Sequence, residues 1–207
     1  PNIDNVAIPL LPKERIRLTA GSTTSFDAGR GCPFTCSFCT IINVQGQKSR
    51  QRSIESIENI IRENVKQGLS SFFISDDDFA RNKNWEGILD KFIELREVHK
   101  LKISFTIQVD TLCHTLPGFI EKSGRAGVKR AFIGLENINP DSLLGASKRQ
   151  NKITDYRAML LAWKKVGVIT CCGYILGFPS DTQESILRDI EIIKKELPVD
   201  LLEFFYL

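Results

Sequence analysis

The stretch Gly29-Arg30-Gly31-Cys32-Pro33-Phe34-Thr35-Cys36-Ser37-Phe38-Cys39 places three cysteines in one short loop with the spacing C-x3-C-x2-C. Thiolates are the ligands that zinc and iron-sulfur clusters prefer, and closely spaced thiolates converge on one centre only if the chain curls around it. Two glycines before the first cysteine and a proline after it permit such a curl. We therefore expect Cys32, Cys36 and Cys39 to hold a metal centre.

The number of cysteines restricts the kind of centre. Structural zinc sites use four protein ligands and most 4Fe-4S clusters use four cysteines, so three cysteines leave one position for a ligand that is not protein. A zinc site needs a fourth ligand nearby, but the two histidines, His99 and His114, lie far along the chain. A disulfide with one odd thiol suits a secreted protein, and the first residues show no signal peptide. We therefore favour an iron-sulfur cluster, with zinc as the main alternative.

The loop resembles that of the radical SAM superfamily, in which S-adenosylmethionine (SAM) binds the iron that the three cysteines leave free. The sequence from Arg30 to Asn43 is similar to that of members with an upstream cobalamin-binding domain. The resemblance implies that Phe38 lies against the adenine of SAM. It also implies that the reduced 4Fe-4S cluster cleaves SAM to a 5'-deoxyadenosyl radical, which removes a hydrogen from an unknown substrate. If cobalamin takes part, a methyl group is transferred.

The resemblance leaves other functions open. A methylthiotransferase that modifies transfer RNA or a ribosomal protein has the same core. Outside catalysis, a non-catalytic iron-sulfur or zinc-binding module would carry a similar loop. An enzyme of the predicted class needs an electron donor such as flavodoxin or ferredoxin.

Composition excludes several further classes of function. Of 207 residues, 42% are hydrophobic and 26% are charged, which suits a globular domain with a sizeable core. The net charge of +3 is too small, and the basic residues too scattered, to predict binding of nucleic acid or of an anionic membrane. No apolar run approaches the roughly 20 residues of a membrane span. Six cysteines that include a metal loop predict a reducing, cytoplasmic setting.

The chain has two regions of different composition. Residues 1–24 are rich in Pro, Thr and Ser and lack periodicity, so we expect a linker from a missing upstream domain. Residues 25–207 are expected to form the core domain, truncated at its sixth strand.

Short apolar runs alternate with helical patterns in this core. The runs lie near residues 24–28, 70–75, 102–108, 128–135, 169–176 and 200–206. Nearly continuous apolar runs of this length are typical of buried parallel strands. The helices between them are expected to begin with a cap at Ser53, with Pro117 in a first turn, and with a capping box of Asp181 and Glu184.

Six successive strand–helix units predict an α/β fold. They are too few for a closed eight-stranded barrel. We expect a partial (βα)6 barrel with a curved, mostly parallel six-stranded sheet, which the resemblance also implies. The binding site should lie at the carboxyl ends of the strands.

Polar residues follow the second and third strands. Asp76, Asp77 and Asp78 could accept charge-assisted hydrogen bonds from an ammonium group. The resemblance implies that at least one of them, with Asp77 as first choice, binds the amino group of SAM; a helix cap or a solvated turn is the alternative. Gln108 ends the third strand and either faces the cofactor or opens the next turn.

The fourth and fifth strands also end in candidate residues. The resemblance implies that Glu136 binds the ribose hydroxyls, and Lys148, Arg149 and Lys152 offer cations for the SAM carboxylate, with surface solvation as the alternative. The sequence Gly173-Tyr174-Ile175-Leu176-Gly177 resembles a family motif along the adenine, which implies contacts from Gly173, Ile175 and Gly177. Cys113, Cys171 and Cys172 are expected to be small core residues.

Overall fold

The computed structural model describes residues 3–18 and 23–207. Its strands are β1 (Thr23–Phe26), β2 (Gly29–Arg30), β3 (Arg50–Gln51), β4 (Ser71–Ile74), β5 (Ser104–Val109), β6 (Val128–Glu136), β7 (Ile169–Leu176) and β8 (Leu201–Tyr206). Its helices are α1 (Lys13–Ile16), α2 (Ile41–Val44), α3 (Ile54–Lys66), α4 (Trp85–Glu97), α5 (Phe119–Ala126), α6 (Pro140–Gly145), α7 (Ile153–Lys165) and α8 (Gln183–Glu196). Short 3-10 turns lie at Ile3–Asn5, Phe79–Arg81 and Thr111–Thr115.

Six strands form one parallel sheet in the order β1-β4-β5-β6-β7-β8. Each long strand is therefore added beside the one before it in the chain, and the carboxyl ends of all six lie at the same edge. The short strands β2 and β3 form a separate antiparallel pair. The predicted α/β fold with a six-stranded parallel sheet is confirmed, and each apolar run in the sequence corresponds to one strand. The prediction that every run forms a buried strand is wrong for β8, which lies at the edge of the sheet and is mostly exposed.

The core lies between the sheet and the helices that cross over it. The ring of Phe105 in β5 stacks on Phe92 of α4, with centroids 4.0 Å apart, and on Phe72 of β4, with centroids 5.7 Å apart. Such aromatic contacts add to the burial of apolar surface that drives folding. Cys113 and Cys172 are buried in this core, as predicted. No helix among residues 3–18 and 23–207 is long and apolar enough to cross a bilayer.

Of the three predicted helix starts, the one at Ser53 is confirmed. Ser53 caps α3, because its side chain accepts a hydrogen bond from the backbone N–H of Ser56. The prediction that Pro117 lies in a first helical turn is wrong. Helix α5 begins at Phe119, after Gly118 in the left-handed conformation with φ 73°. Pro117 therefore belongs to the turn before the helix, where its fixed φ is equally well accommodated.

The predicted capping box of helix α8 is also wrong by one residue. Thr182 is the N-cap, and its hydroxyl accepts from the N–H of Ser185, whose hydroxyl accepts from the N–H of Thr182. Asp181 instead accepts hydrogen bonds from the N–H groups of Gly177 and Phe178. The carboxylate thus closes the turn that leaves β7, and the hydroxyl pair takes over the reciprocal capping.

The first residues of the chain contact the core. Ile3 is buried, Ile8 packs against the main core, and the Asp4 carboxylate accepts from the N–H of Ser53. The fully buried Arg52 donates to the carbonyl oxygen of Ile3. The predicted linker over residues 1–24 includes residues 1–2 and 19–22, which lie outside the described residues. Its boundary with the core domain remains a prediction, and β1 begins at Thr23.

Candidate functional site

Three thiols surround one cavity at the carboxyl edge of the sheet. Cys32, Cys36 and Cys39 lie on the loop between β2 and α2, and all three line a cavity of about 150 Å³. Of the residues predicted from the sequence, Phe38, Asp77, Asp78, Gln108 and Glu136 line the same cavity. The loop therefore lies where parallel α/β folds bind their ligands.

The arrangement of the thiols indicates what kind of centre they fit. Among the described residues, no three His, Cys, Asp or Glu side chains converge closely enough to hold a single metal ion. The three thiols line one shared cavity, and three thiolates are a donor set that suits an iron-sulfur cluster with one position left open. Burial raises the pKa of Cys32 to about 11, and the charges of Asp78, Cys36 and Cys39 add to this rise. A bound cationic centre would favour the thiolate.

The loop is shaped by its own backbone and by Asp77. Gly31 has φ 97°, and a Cβ there would lie 2.8 Å from the carbonyl oxygen of Lys48 and 2.9 Å from that of Gly46. Only glycine fits that position. The N–H of Gly31 donates to the Asp77 carboxylate at 2.7 Å. Asp77 thus borders the cavity and also fixes the start of the cysteine loop.

Asp76 lies outside the cavity and is 2% exposed. Its Oδ1 accepts from the backbone N–H groups of Ala28 and Gly29 at 2.6 and 2.7 Å, and its Oδ2 accepts from the amide of Asn82 at 3.1 Å. Both oxygens are therefore engaged with the protein. Burial raises the pKa of Asp76 to about 7, although the three hydrogen bonds favour the ionised form. This geometry gives Asp76 a role in tying the chain at Ala28 and Gly29, where β1 leads into β2, to the end of β4.

Asp78 is the member of the triplet that is both buried and incompletely bonded. Its Oδ1 has no hydrogen-bond partner among the described residues, and the side chain lines the cavity. Burial and the adjacent negative charge of Asp110 raise the pKa of Asp78 well above its usual value. Asp110 is also buried, but hydrogen bonds from Arg81 and Asp78 outweigh that burial and lower its pKa. The Arg81 guanidinium lies 5.7 Å from the centre of the Phe34 ring in the cysteine loop.

An ion pair closes another side of the cavity. Lys148 Nζ donates to Glu136 Oε1 at 2.7 Å and lies 5.8 Å from the centre of the Phe38 ring. Glu136 has φ 63°, at a point where the register between β6 and β7 shifts. Strained backbone of this kind is concentrated at functional sites. A Cβ at Gly134 would lie 2.6 Å from Glu136 Oε1, so glycine leaves room for the pair.

The remaining predicted residues differ in their positions. Gln108 donates from its amide to the carbonyl oxygen of Asp76 at 3.1 Å. Of the three predicted cations, Lys148 lines this cavity and is buried, whereas Arg149 and Lys152 are exposed.

The motif residues Gly173, Ile175 and Gly177 lie in strand β7 and just after it, outside the thiol cavity. Ile175 is buried in a small cluster with Ala146 and Phe178, against which Phe38 packs. A Cβ added at Gly173 would lie 3.0 Å from the Phe132 ring, and Gly177 has φ 101°. None of the three motif residues lines the cavity of the thiols. A second cavity of about 370 Å³ adjoins it, lined by Phe38, Ala146, Phe178 and Pro179 among others. Phe38 thus separates the two spaces.

Gln150 was not predicted from the sequence. Its side chain is buried, lines the thiol cavity, and donates from Nε2 to Cys36 Sγ at 3.5 Å. Arg81 was missed as well. No local pattern marks either residue, because both reach the site through long-range packing.

The chain is similar to one known protein family and to several of its relatives. The family model of the radical SAM superfamily matches residues 27–193. Bacteriochlorophyllide d C-12(1)-methyltransferase of Chlorobaculum tepidum is 28% identical over 179 residues, which cover 83% of this chain and 38% of the relative. Ribosomal protein uS12 methylthiotransferase RimO of Carboxydothermus hydrogenoformans is 23% identical over 172 residues, which cover 80% of this chain and 39% of the relative.

A solved structure has the same fold. The radical S-adenosylmethionine methyltransferase TsrM from Kitasatospora setae, with cobalamin and a [4Fe-4S] cluster bound, matches with a TM-score of 0.78 and 18% sequence identity. The match covers 88% of this chain and 34% of that chain. The present chain therefore spans little more than a third of the length of each of these proteins.

Proposed function

This chain belongs to the radical SAM superfamily, and on that premise we propose that it is the cofactor-binding core of an enzyme that reductively cleaves SAM. The membership confirms the family predicted from the cysteine loop. In this proposal Cys32, Cys36 and Cys39 hold a 4Fe-4S cluster, and SAM completes its coordination. The observation that carries the proposal is the meeting of three thiols and the ends of strands β5 and β6 around one cavity.

The residues around the cavity supply partners for each part of SAM. Within the part of the chain that the structure describes, one oxygen of Asp78 has no hydrogen-bond partner, so we assign Asp78 to the amino group in place of Asp77. Gln108 lines the same cavity. Glu136 is assigned to the ribose hydroxyls and Lys148 to the carboxylate. Carboxylates and ammonium groups form strong charge-assisted hydrogen bonds with such partners.

The adenine would lie against Phe38, at the boundary of the two cavities. The apolar wall of Phe178 and Ala146 beyond it suits a flat, weakly polar ring. In this arrangement Ile175 supports Phe38 from behind. Gly173 makes room for the Phe132 ring, and Gly177 permits the turn after β7 with φ 101°. The bound cluster and SAM supply the chemistry, in which one electron breaks a carbon–sulfur bond. The protein positions the reactants and keeps water away.

The proposed activity is tested with the full-length protein. After anaerobic reconstitution with iron and sulfide, dithionite and SAM should yield 5'-deoxyadenosine. Cys36→Ala should abolish both iron binding and product, because two thiols cannot hold the cluster. The matched control Cys172→Ala removes a buried core thiol away from the loop and should retain both. Equal amounts of product from Cys36→Ala and wild type would contradict the assignment, as would a zinc ion held by four protein ligands.

We further propose that the reaction transfers a methyl group with cobalamin bound on another part of the full-length protein. Two of the three relatives described above are methyltransferases, and the TsrM structure contains cobalamin. The methylthiotransferase relative supports the alternative of adding a methylthio group to RNA or protein. Cobalamin in the purified protein, and the mass gained by a modified substrate, would distinguish the two reactions.

The setting of the enzyme follows from its cysteines. All six are free thiols in the structure, and a loop that binds a cluster must be kept reduced. We therefore propose a cytoplasmic enzyme that receives electrons from a flavodoxin or a ferredoxin. Reduction of the reconstituted cluster by either protein, in place of dithionite, would test this partner.

A further inference from the structure

The loop after helix α6 contacts the cysteine loop at its centre. The carbonyl oxygen of Ala146 accepts from the N–H of Ser37 at 3.0 Å. Four residues further on, Gln150 donates from Nε2 to Cys36 Sγ at 3.5 Å, within the range for hydrogen bonds to sulfur. Gln150 is 9% exposed, so little water competes for this contact.

The position of Gln150 is fixed by the next residue. The amide of Asn151 donates to the carbonyl oxygens of Gly134 and Leu135, and its Oδ1 accepts from the hydroxyl of Thr111. The loop is therefore bound to the end of β6 on one side and to the cysteine loop on the other. These hydrogen bonds anchor the backbone beside Gln150, from which its side chain reaches the sulfur of Cys36.

The charged groups around the cavity are largely occupied with each other. Lys148 is paired with Glu136, and Arg81 is paired with Asp110. Cys32 is a different case, since its sulfur accepts from the backbone N–H of Phe34. The hydrogen bond from Gln150 to Cys36 thus comes from a side chain, so mutation of Gln150 can remove it.

We propose that Gln150 is a positioning residue whose hydrogen bond to Cys36 raises the reduction potential of the cluster. The inference rests on the proposed function, because it requires a cluster on the three thiols. Reduction adds negative charge that is shared by the ligand sulfurs, and an N–H donor stabilises the more negative state. Hydrogen bonds to cluster sulfurs are among the factors that set such potentials.

The test is a redox titration of the reconstituted full-length protein without SAM, followed by electron paramagnetic resonance of the reduced cluster. Gln150→Leu keeps the approximate volume but removes the donor. A hydrogen bond of ordinary net strength corresponds to about a fivefold change in an equilibrium constant. We expect the ratio of reduced to oxidised cluster at a fixed potential to fall about fivefold, equivalent to a midpoint about 40 mV more negative.

Two further variants separate this effect from a general change in the cavity. Gln108→Leu removes the same amide group from the same cavity, but that amide donates to a backbone oxygen, so its midpoint should change by less than half as much. Gln150→Asn keeps the amide but is too short to reach the sulfur, and should lower the midpoint as Gln150→Leu does.

The possible results are distinct. An unchanged or higher midpoint in Gln150→Leu, or equal shifts in Gln150→Leu and Gln108→Leu, would overturn the inference. If Gln150→Leu fails to bind iron, Gln150→Asn decides, and a wild-type midpoint there overturns it. Failure of both variants to bind iron beside a loaded wild type would also overturn it, because Gln150 would then serve assembly. A wild type without a cluster would contradict the proposed function, and this inference with it.

Discussion

Replacing Asp76 by alanine should destabilise the fold more than any other single change at the triplet. The substitution leaves the N–H groups of Ala28 and Gly29 buried without their acceptor and removes a partner of Asn82. Each unsatisfied buried donor costs about 1–3 kcal/mol, so the two backbone groups alone lose about 2–6 kcal/mol. The same change removes a carboxyl group whose ionised form is disfavoured by burial, and this gain reduces the net loss of stability.

The stability gained by removing this carboxyl group depends on pH. The folded pKa of Asp76 is about 7, raised chiefly by burial from 3.8. The folded state therefore binds more protons than the unfolded state between about pH 4 and 7, and wild-type stability falls as pH rises through this window. Each pH unit contributes at most about 1.4 kcal/mol. At pH 5 this gain is about 1.6 kcal/mol, and the expected net loss of stability in Asp76→Ala is about 0.4–4.4 kcal/mol.

Urea unfolding of the cluster-free protein measures both effects. Asp77→Ala is the matched control, because Asp77 is half-buried and accepts from a single backbone N–H group, that of Gly31. It should lose only about 1 kcal/mol. The gap between wild type and Asp76→Ala should narrow as the pH is raised from 5 to 7, since the wild type alone carries this titration. Equal losses in the two variants, or a gap that widens with pH, would refute the structural role of Asp76.

Three further predictions concern the packing and binding of the site. Arg52→Met leaves a carboxylate and two backbone carbonyls without their buried donor and should cost about 3–5 kcal/mol in urea unfolding. Arg62→Met, on the surface, should cost less than about 1 kcal/mol, and similar losses would contradict the burial argument. Glu136→Gln should weaken SAM binding about tenfold or more in calorimetric titration, and an unchanged Kd would refute the ribose assignment. Gly134→Ala should have a similar effect on SAM affinity, because its Cβ meets both Glu136 and Lys148, whereas wild-type affinity would show that the ion pair can shift freely.

The sequence contained enough to predict the fold because the decisive signals are local. Strands β4 to β7 are short apolar runs that the fold largely buries, and the helices between them show their caps and apolar faces within one or two turns. The errors lie where two local solutions compete. Asp181 and Thr182 can both begin a helix, and only the turn that leaves β7 decides which of them is free to do so.

The predicted site was found only in part, and the aspartate triplet shows the reason. Three identical side chains follow one strand, yet one holds the end of β1, one holds the cysteine loop and one faces the cavity. Adjacent side chains leave a strand in different directions, and their partners lie almost 50 residues away in the chain. Composition and spacing cannot distinguish them.

The cysteine spacing by itself determined the family and the centre that the loop should hold. Three thiolates within a short loop can meet at one centre only if the loop curls around it, and this holds whatever the rest of the chain does. The tertiary structure decided which polar groups accompany those thiolates. Gln150 reaches Cys36 across 114 positions of sequence, and the pairing of Lys148 with Glu136 depends on a register shift between β6 and β7. Contacts of this kind arise from the packing of distant segments against one sheet, and a sequence pattern records only what neighbouring residues do together.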